Sequence, residues 1–256
     1  MPQSADVSGR SLTLFPTCVV DTVAPQVGVA VVRVLRRSGY DVEVPRDATC
    51  CGQPAWNAGF VAQAAKVART TLDALDAASG TVCVPAGSCA TMMRVFWPEL
   101  FEMTGDHEAK ARAERVGQRI REFSELVSSD AATRSGAGAP PEAARRFQKA
   151  AYHHSCHMLR ELGIHDEPVE ALKAAGCEVV AWAGDERCCG FGGLFSVKQP
   201  EISVAMADDK IDSLQQTGAE ALVGCDASCL MHLRGRMEKR GIQMPVKHLA
   251  EVLDEA

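Results

Sequence analysis

The chain of 256 residues holds eleven cysteines, and their positions are the first sign of chemistry. Cys18, Cys50 and Cys51 recur as Cys156, Cys188 and Cys189, each displaced by 138 positions, and Cys89 recurs as Cys229 with a displacement of 140. Their neighbours recur with them: Cys50-Cys51-Gly52 matches Cys188-Cys189-Gly190, and Ser88-Cys89 matches Ser228-Cys229. A repeat of this kind signals internal duplication.

Each half therefore brings four thiols from three separate segments, which is the supply a four-iron cluster needs. Zinc is a weaker reading, because structural zinc sites usually grip the ion with local C-x(2–4)-C knuckles, whereas 31 residues separate Cys18 from Cys50. A disulfide within either vicinal pair is disfavoured, since adjacent Cα atoms lie about 3.8 Å apart and unstrained disulfides want roughly 4.4–6.8 Å. Metal-free thiol–disulfide exchange stays open as a third reading. Gly52, Gly190, Gly192 and Gly193 lack a Cβ, so their amides can approach sulfur closely and tune it by hydrogen bonding.

His153, His154 and His157 crowd around Cys156, placed to donate hydrogen bonds to cluster sulfur or to shuttle protons, with direct metal ligation as the alternative reading. The first half has Phe15, Pro16 and Val19 at the corresponding places, so any histidine role belongs to the second site. Cys83, Cys177 and Cys225 break the repeat; the first two read as small core residues and Cys225 as a candidate auxiliary ligand. The other histidines, His107, His165, His232 and His248, read as surface or capping residues. No catalytic residue is assigned. Gly190-Phe191-Gly192-Gly193 is not a G-x-G-x-x-G loop and no Walker-type loop occurs, so neither nicotinamide nor nucleoside triphosphate binding is indicated. Such a chain would pass electrons singly and leave hydride chemistry to a partner.

The elements that must position these thiols are duplicated too. Leu12–Phe15 reads as a strand running into Cys18, and Ala150–Tyr152 as one running into Cys156. Pro25–Ser38 sets Val27, Ala30, Val31, Val34 and Leu35 on one helical face and stops at Gly39. Tyr40–Val44 and Glu178–Trp182 read as the strands before the vicinal pairs. Helices marked by Val61, Ala64, Ala65, Ala68, Leu72 and Leu75, and by Val204, Ala207, Ile211 and Leu214 after Pro200, follow the pairs. Thr81–Val84 and Ala221–Gly224 are the strands before the Ser-Cys motifs. The order β-α-β-α-β-α predicts an α/β fold of two pseudo-symmetric repeats, each a small parallel sheet flanked by helices with cysteines at the C-terminal strand ends. A helix aligning Ala113, Val116, Ile120, Phe123 and Val127 is expected to close the first half, and one around His248–Leu253 the second. The expected organisation is a first domain over 1–127, a small, polar, proline-containing linker over 128–149 and a second domain over 150–256.

The bulk composition, 46% hydrophobic, 23% charged and 5% aromatic, is that of a globular protein with aliphatic cores. A net charge of -6 and a pI near 5.7 give no basic footprint, which argues against nucleic acid or anionic membrane partners. The opening residues Met1-Pro2-Gln3-Ser4-Ala5-Asp6 have no signal-peptide pattern and no apolar run reaches transmembrane length, so a cytoplasmic protein without a transmembrane segment is expected.

These motifs resemble the cysteine-rich CCG domain family, and two copies in a short chain are similar to the iron–sulfur subunits of lactate-utilization systems. Nearly the whole chain is covered. The most specific stretches are Cys50-Cys51-Gly52-Gln53-Pro54-Ala55-Trp56-Asn57-Ala58-Gly59 and Cys188-Cys189-Gly190-Phe191-Gly192-Gly193. His154-Ser155-Cys156-His157 and Asp226-Ala227-Ser228-Cys229-Leu230-Met231-His232 support them. The resemblance implies an electron-transfer subunit in a multi-subunit system oxidising L-lactate, or another 2-hydroxy acid, to its oxo acid (pyruvate from lactate). It also implies iron–sulfur clusters of the 4Fe-4S type, one or two per chain, held by Cys18, Cys50, Cys51 and Cys89 and by Cys156, Cys188, Cys189 and Cys229. Gly52, Gly190, Gly192, Gly193, His154 and His157 would border them. A ferredoxin-type iron–sulfur subunit and a third subunit are the implied partners.

A wider relative is the CCG-bearing component of heterodisulfide reductase, whose motifs end in C-x-x-C and bind noncubane clusters. Here Ala86 and Asp226 stand where the first cysteine of that ending would be, so four thiolates per half are carried over rather than five. The iron–sulfur subunit of glycolate oxidase and the third subunit of anaerobic glycerol-3-phosphate dehydrogenase share the domain, so substrate identity rests on analogy. The competing readings are a zinc-bearing or metal-free scaffold module and a heterodisulfide-type thiol reductase subunit.

Overall fold

The computed structural model describes residues 10–133 and 147–256. In the first half β1 (Arg10–Leu14) leads through Thr17 into α1 (Cys18–Val23), followed by α2 (Pro25–Arg37), β2 (Tyr40–Glu43), α3 (Gln53–Asn57), α4 (Val61–Ala77) and β3 (Thr81–Val84). Then come α5 (Gly87–Thr91), a π-helical turn (Met92–Phe96), α6 (Trp97–Met103), α7 (His107–Arg119), β4 (Ile120–Glu122) and α8 (Phe123–Thr133). The second half repeats the plan: β5 (Lys149–His153), α9 (Cys156–Arg160), α10 (Asp166–Ala174), β6 (Glu178–Val180), α11 (Leu194–Lys198), α12 (Pro200–Gln215), β7 (Ala221–Gly224), α13 (Ala227–Lys239), β8 (Val246–His248) and α14 (Leu249–Glu255).

Each half is a four-stranded parallel sheet, ordered β2-β1-β3-β4 and β6-β5-β7-β8. The registers correspond: Leu12 pairs with Val42 and Thr81 as Ala150 pairs with Val179 and Ala221. Parallel strands need helical crossovers, and these bury both faces of the central strands; in β7 every residue is buried. The fold is α/β with two pseudo-symmetric repeats, as the sequence predicts.

Each sheet has a fourth strand that the sequence pattern does not reveal. Ile120, Phe123 and Val127 continue the helical spacing of Ala113 and Val116, yet the helix ends at Arg119 and β4 pairs Val82 with Ile120 and Val84 with Glu122 before α8 begins. β8 does the same beside β7. Of the expected linker 128–149, residues 128–133 belong to α8 and β5 begins at Lys149, while 134–146 lie outside the described residues.

The closing helices cross over. α8, from the first half, packs on α10 of the second, and α14, from the second, packs on α2 of the first. A core shared by the two halves results, in which Leu12, Val31 and Leu35 belong to the same buried cluster as Phe123, Tyr152, Leu172 and Leu249. A second cluster around Trp97 and Phe101 and a third around Ile211 and Leu233 take their buried residues from one half each. Arg33 and Arg37 on α2 reach Asp254 of α14 at 3.2 and 2.9 Å. At the crossover points His248 Nδ1 accepts the Ala250 N–H at 3.1 Å, and the buried Glu122 Oε2 accepts the Ser124 N–H at 2.6 Å and the Ser124 hydroxyl. Burial lifts the Glu122 carboxyl to about 8, and its Oε1 has no partner among the described residues.

Candidate metal centre

Parallel sheets deliver the thiols to one rim. Cys18 and Cys156 open α1 and α9 just beyond β1 and β5, the vicinal pairs sit in the loops after β2 and β6, and Cys89 and Cys229 lie on helices that start just past β3 and β7. Cys18 Sγ donates to Cys50 Sγ at 3.7 Å, Cys51 and Cys89 are 3.1 Å apart, and Cys189 and Cys229 are 2.8 Å apart. None of the cysteines forms a disulfide among the described residues.

Both sets open onto a shared cavity of about 140 Å³, lined by Cys18, Cys51 and Cys89 from one half and Cys156, Cys188, Cys189 and Cys229 from the other. The cavity exists because the Ser-Cys helix of each half packs against the first-cysteine helix of the other, α5 on α9 and α13 on α1. Gly87 permits that approach: a Cβ there would collide with Met158 Cβ. Asp226, 1% exposed, ties the two Ser-Cys helices together. Its Oδ2 accepts the Ser88 N–H at 3.0 Å, its Oδ1 accepts the Ser228 hydroxyl at 2.6 Å, and it bridges Ala86, its own repeat partner, in antiparallel fashion.

The glycine after each pair is dictated by backbone. Gly52 and Gly190 both have φ +87°, and a Cβ would fall 2.9 Å from Ala64 O and 2.6 Å from Ser203 O. Each bends its N–H back to the pair, Gly52 to Cys50 Sγ at 3.5 Å and Gly190 to Cys188 Sγ at 3.4 Å, and Phe191 N–H reaches Cys189 Sγ at 3.5 Å. Gly192 and Gly193 line the cavity. Thr17, which also lines it, is the one non-glycine with positive φ (72°) among the described residues; such a β-branched outlier is held only by surrounding structure.

The protons are shared unequally. The hydrogen bond from Cys18 holds the Cys50 thiol down to about 3, and the bond from Cys156 holds Cys188 down to about 2, while the donors Cys18 and Cys156 are pushed up by the same bonds and by burial. Cys51 and Cys189 are driven well above the usual thiol range by their bonds to Cys50 and Cys188 and by burial. A second thiolate in either set would crowd like charges into a buried space, so full ionisation requires a cation among the sulfurs. That donor set fits a thiophilic metal centre.

The histidines separate. His157 lines the cavity, with its ring 6.0 Å from Phe96 and Nδ1 3.7 Å from Glu161. His154 is outside the lining and stacks on His165 at 4.5 Å. His153, which the sequence treats merely as one of a crowd, is fully buried, and a ring nitrogen lies within 4.8 Å of both Cys189 and Cys229 Sγ. Burial, then the Lys210 charge, keeps its imidazole neutral by lowering its pKa well below the ordinary value. Lys210 itself was not foreseen: only 1% exposed, it donates to the carbonyls of Gly184, Asp185 and Arg187, the last at 2.6 Å, and burial lowers its pKa to about 8. In the first half Thr71 serves this loop, donating to Cys50 O at 2.9 Å and accepting from Thr49 N–H at 3.1 Å. Cys83, Cys177 and Cys225 lie in the shared core, Cys225 beside Tyr152 and outside the cavity lining.

Comparison with known proteins agrees with this duplicated geometry. The model of the cysteine-rich domain (CCG) matches residues 12–94 and again 150–234. The chain belongs to the cysteine-rich CCG family. Similar members include lactate utilization protein A of Exiguobacterium sp., 43% identical over 96% of this chain and 97% of its own length, and that of Anoxybacillus flavithermus, 42% identical over 95% and 99%. Lactate utilization protein A of Bacillus subtilis is 37% identical over 95% of this chain and 98% of its own. Both family matches span the cysteines of the thiol sets, so the family's domain occurs twice in this chain, once in each half. Among the described residues no helix is long and apolar enough to cross a membrane.

Proposed function

We propose that this chain is the iron–sulfur electron-transfer subunit of a cytoplasmic multi-subunit system that oxidises L-lactate, or a close 2-hydroxy acid, to the 2-oxo acid. The convergence of thiols from both halves on one shared cavity, with Cys50 held to Cys18 behind its lining, carries the reading, and the names of the relatives supply the substrate. Cys18, Cys50, Cys51 and Cys89 would hold one centre, and Cys156, Cys188, Cys189 and Cys229 the other. When bound, a 4Fe-4S cluster supplies one-electron transfer. The amides of Gly52, Gly190 and Phe191 point at ligand sulfurs, which favours the reduced, more negative form. Pro54, Phe191, Ala86 and Ala227 wall the cavity and limit water around it. Dehydrogenation of the hydroxy acid releases an electron pair with protons and is assigned to a partner subunit, because the sequence carries no nicotinamide fingerprint. Electrons would leave through a ferredoxin-type subunit.

The test is anaerobic purification and reconstitution, with iron and acid-labile sulfide quantified and the reduced protein examined by electron paramagnetic resonance. Iron and sulfide in equal amounts, falling by about half when Cys188 and Cys189 are replaced by serine, is the expected result. Stoichiometric zinc without sulfide, or less than about one iron per chain, overturns the assignment.

A further inference from the structure

His153 is difficult to explain as a core residue. Its repeat partner is Phe15, which is buried at the same place after β1 and makes an apolar filling. In the second half that filling is exchanged for an imidazole with 0% exposure, and neither ring nitrogen has a hydrogen-bond partner among the described residues. Buried polar atoms are ordinarily satisfied, so an orphaned pair of nitrogens marks a missing partner. The direction of that partner is visible: a ring nitrogen, Cys189 Sγ and Cys229 Sγ all lie within 4.8 Å of one another, and the two sulfurs are 2.8 Å apart. The Asp185 backbone lies beside the ring, but its carbonyl already accepts the His154 N–H at 3.0 Å and a Lys210 N–H at 3.1 Å, so it leaves the imidazole without a hydrogen-bond partner.

We propose that His153 is a nitrogen ligand of the second metal centre in place of one of the four thiolates named above, so that the two halves hold chemically different sites: four thiolates in the first, thiolates and an imidazole in the second. The inference rests on the presence of a metal centre as proposed above. Neutral imidazole donates a lone pair where thiolate donates a charge, so a centre with histidine in its shell titrates at a higher potential than its all-thiolate counterpart. Electrons entering the chain would then collect at the second site.

The experiment uses the full-length chain, reconstituted anaerobically with iron and sulfide and reduced, and reads nitrogen couplings by pulsed electron paramagnetic resonance. The expected result is a coupling of the size of a directly bound imidazole, which changes to the nitrogen-15 pattern on histidine-specific labelling. It disappears in His153→Phe, which restores the first-half residue, and persists in His154→Phe. A cluster signal without any histidine coupling in the unaltered chain, which needs no variant to fold, overturns the proposal. So does a coupling that survives His153→Phe. Uptake of no iron would sink the cluster assignment alone, because cobalt(II) loaded into the same chain still reports on His153: bands of a mixed nitrogen–sulfur sphere that turn all-sulfur in His153→Phe support ligation, and an all-sulfur spectrum from the start refutes it.

Discussion

Glu122 shows at the scale of one residue what the crossover of the closing helices costs. Its carboxyl is fully buried and titrates at about 8 rather than 4.5, chiefly through burial. The folded state therefore keeps a proton that the unfolded chain releases from pH 4.5 upward, and stability falls by about 1.4 kcal/mol per pH unit between those values before levelling off above 8. Glu122→Gln is expected to flatten this slope and to raise stability at pH 8 by roughly 2 to 5 kcal/mol, read from denaturant unfolding of the full chain across the pH range. An unchanged slope would show that the carboxyl ionises freely in the folded protein. Residue by residue, the thiols and the vicinal-pair glycines were legible in the sequence because they repeat. His153 was not singled out, although a histidine standing where its repeat partner is a core phenylalanine was an available signal. Lys210 carried no such mark, and Asp226, noticed as the residue that replaces a family cysteine opposite Ala86, gave no hint that it grips both Ser-Cys helices, because those helices meet only in the fold.

Among the elements, the packing of α5 on α9 sets the distance between the two thiol sets. Gly87 leaves no room for a methyl group against Met158. Gly87→Ala is expected to destabilise the chain by about 1 to 3 kcal/mol through overpacking, and Met158→Ala in the same chain should recover much of the loss, as the coupling energy of a double-mutant cycle. Additive effects would mean that the two side chains do not meet. The long helices and central strands were readable from apolar periodicity, because each buries one regular face: Val27, Ala30, Val31, Val34 and Leu35 in α2 are the clearest instance. β4 escaped because Ile120 keeps the phase of the helix that precedes it, and β8 because its last residue, His248, runs straight into α14 and reads as part of that helix.

For the molecule as a whole, the reciprocal exchange of α8 and α14 joins the two repeats through a shared core and is expected to make them unfold as one cooperative unit. Removing residues 249–256 would strip Leu249, Ala250 and Val252 from the core that also holds Val27, Ala30 and Val34 of the other half. Calorimetry of the intact chain is expected to give a single transition whose calorimetric and van't Hoff enthalpies agree, and the chain ending at residue 248 to lose structure in both halves. Two separated transitions would show that the repeats fold as independent domains. The sequence announced the duplication but not this exchange, because an amphipathic helix states that it needs a partner without stating which one.

The placement of Asp226 opposite Ala86 has a consequence for how such a fold could arise. Across an exact twofold axis, two identical chains would present the same residue twice, and a pair of aspartates would face each other across the antiparallel bridge with like charges directly opposed. Joining the copies covalently removes that constraint: one side can keep a carboxylate that grips both helix starts while the other shrinks to a methyl group. Fusion thus opened a division of labour at the symmetry axis that no homodimer of equal partners can reach.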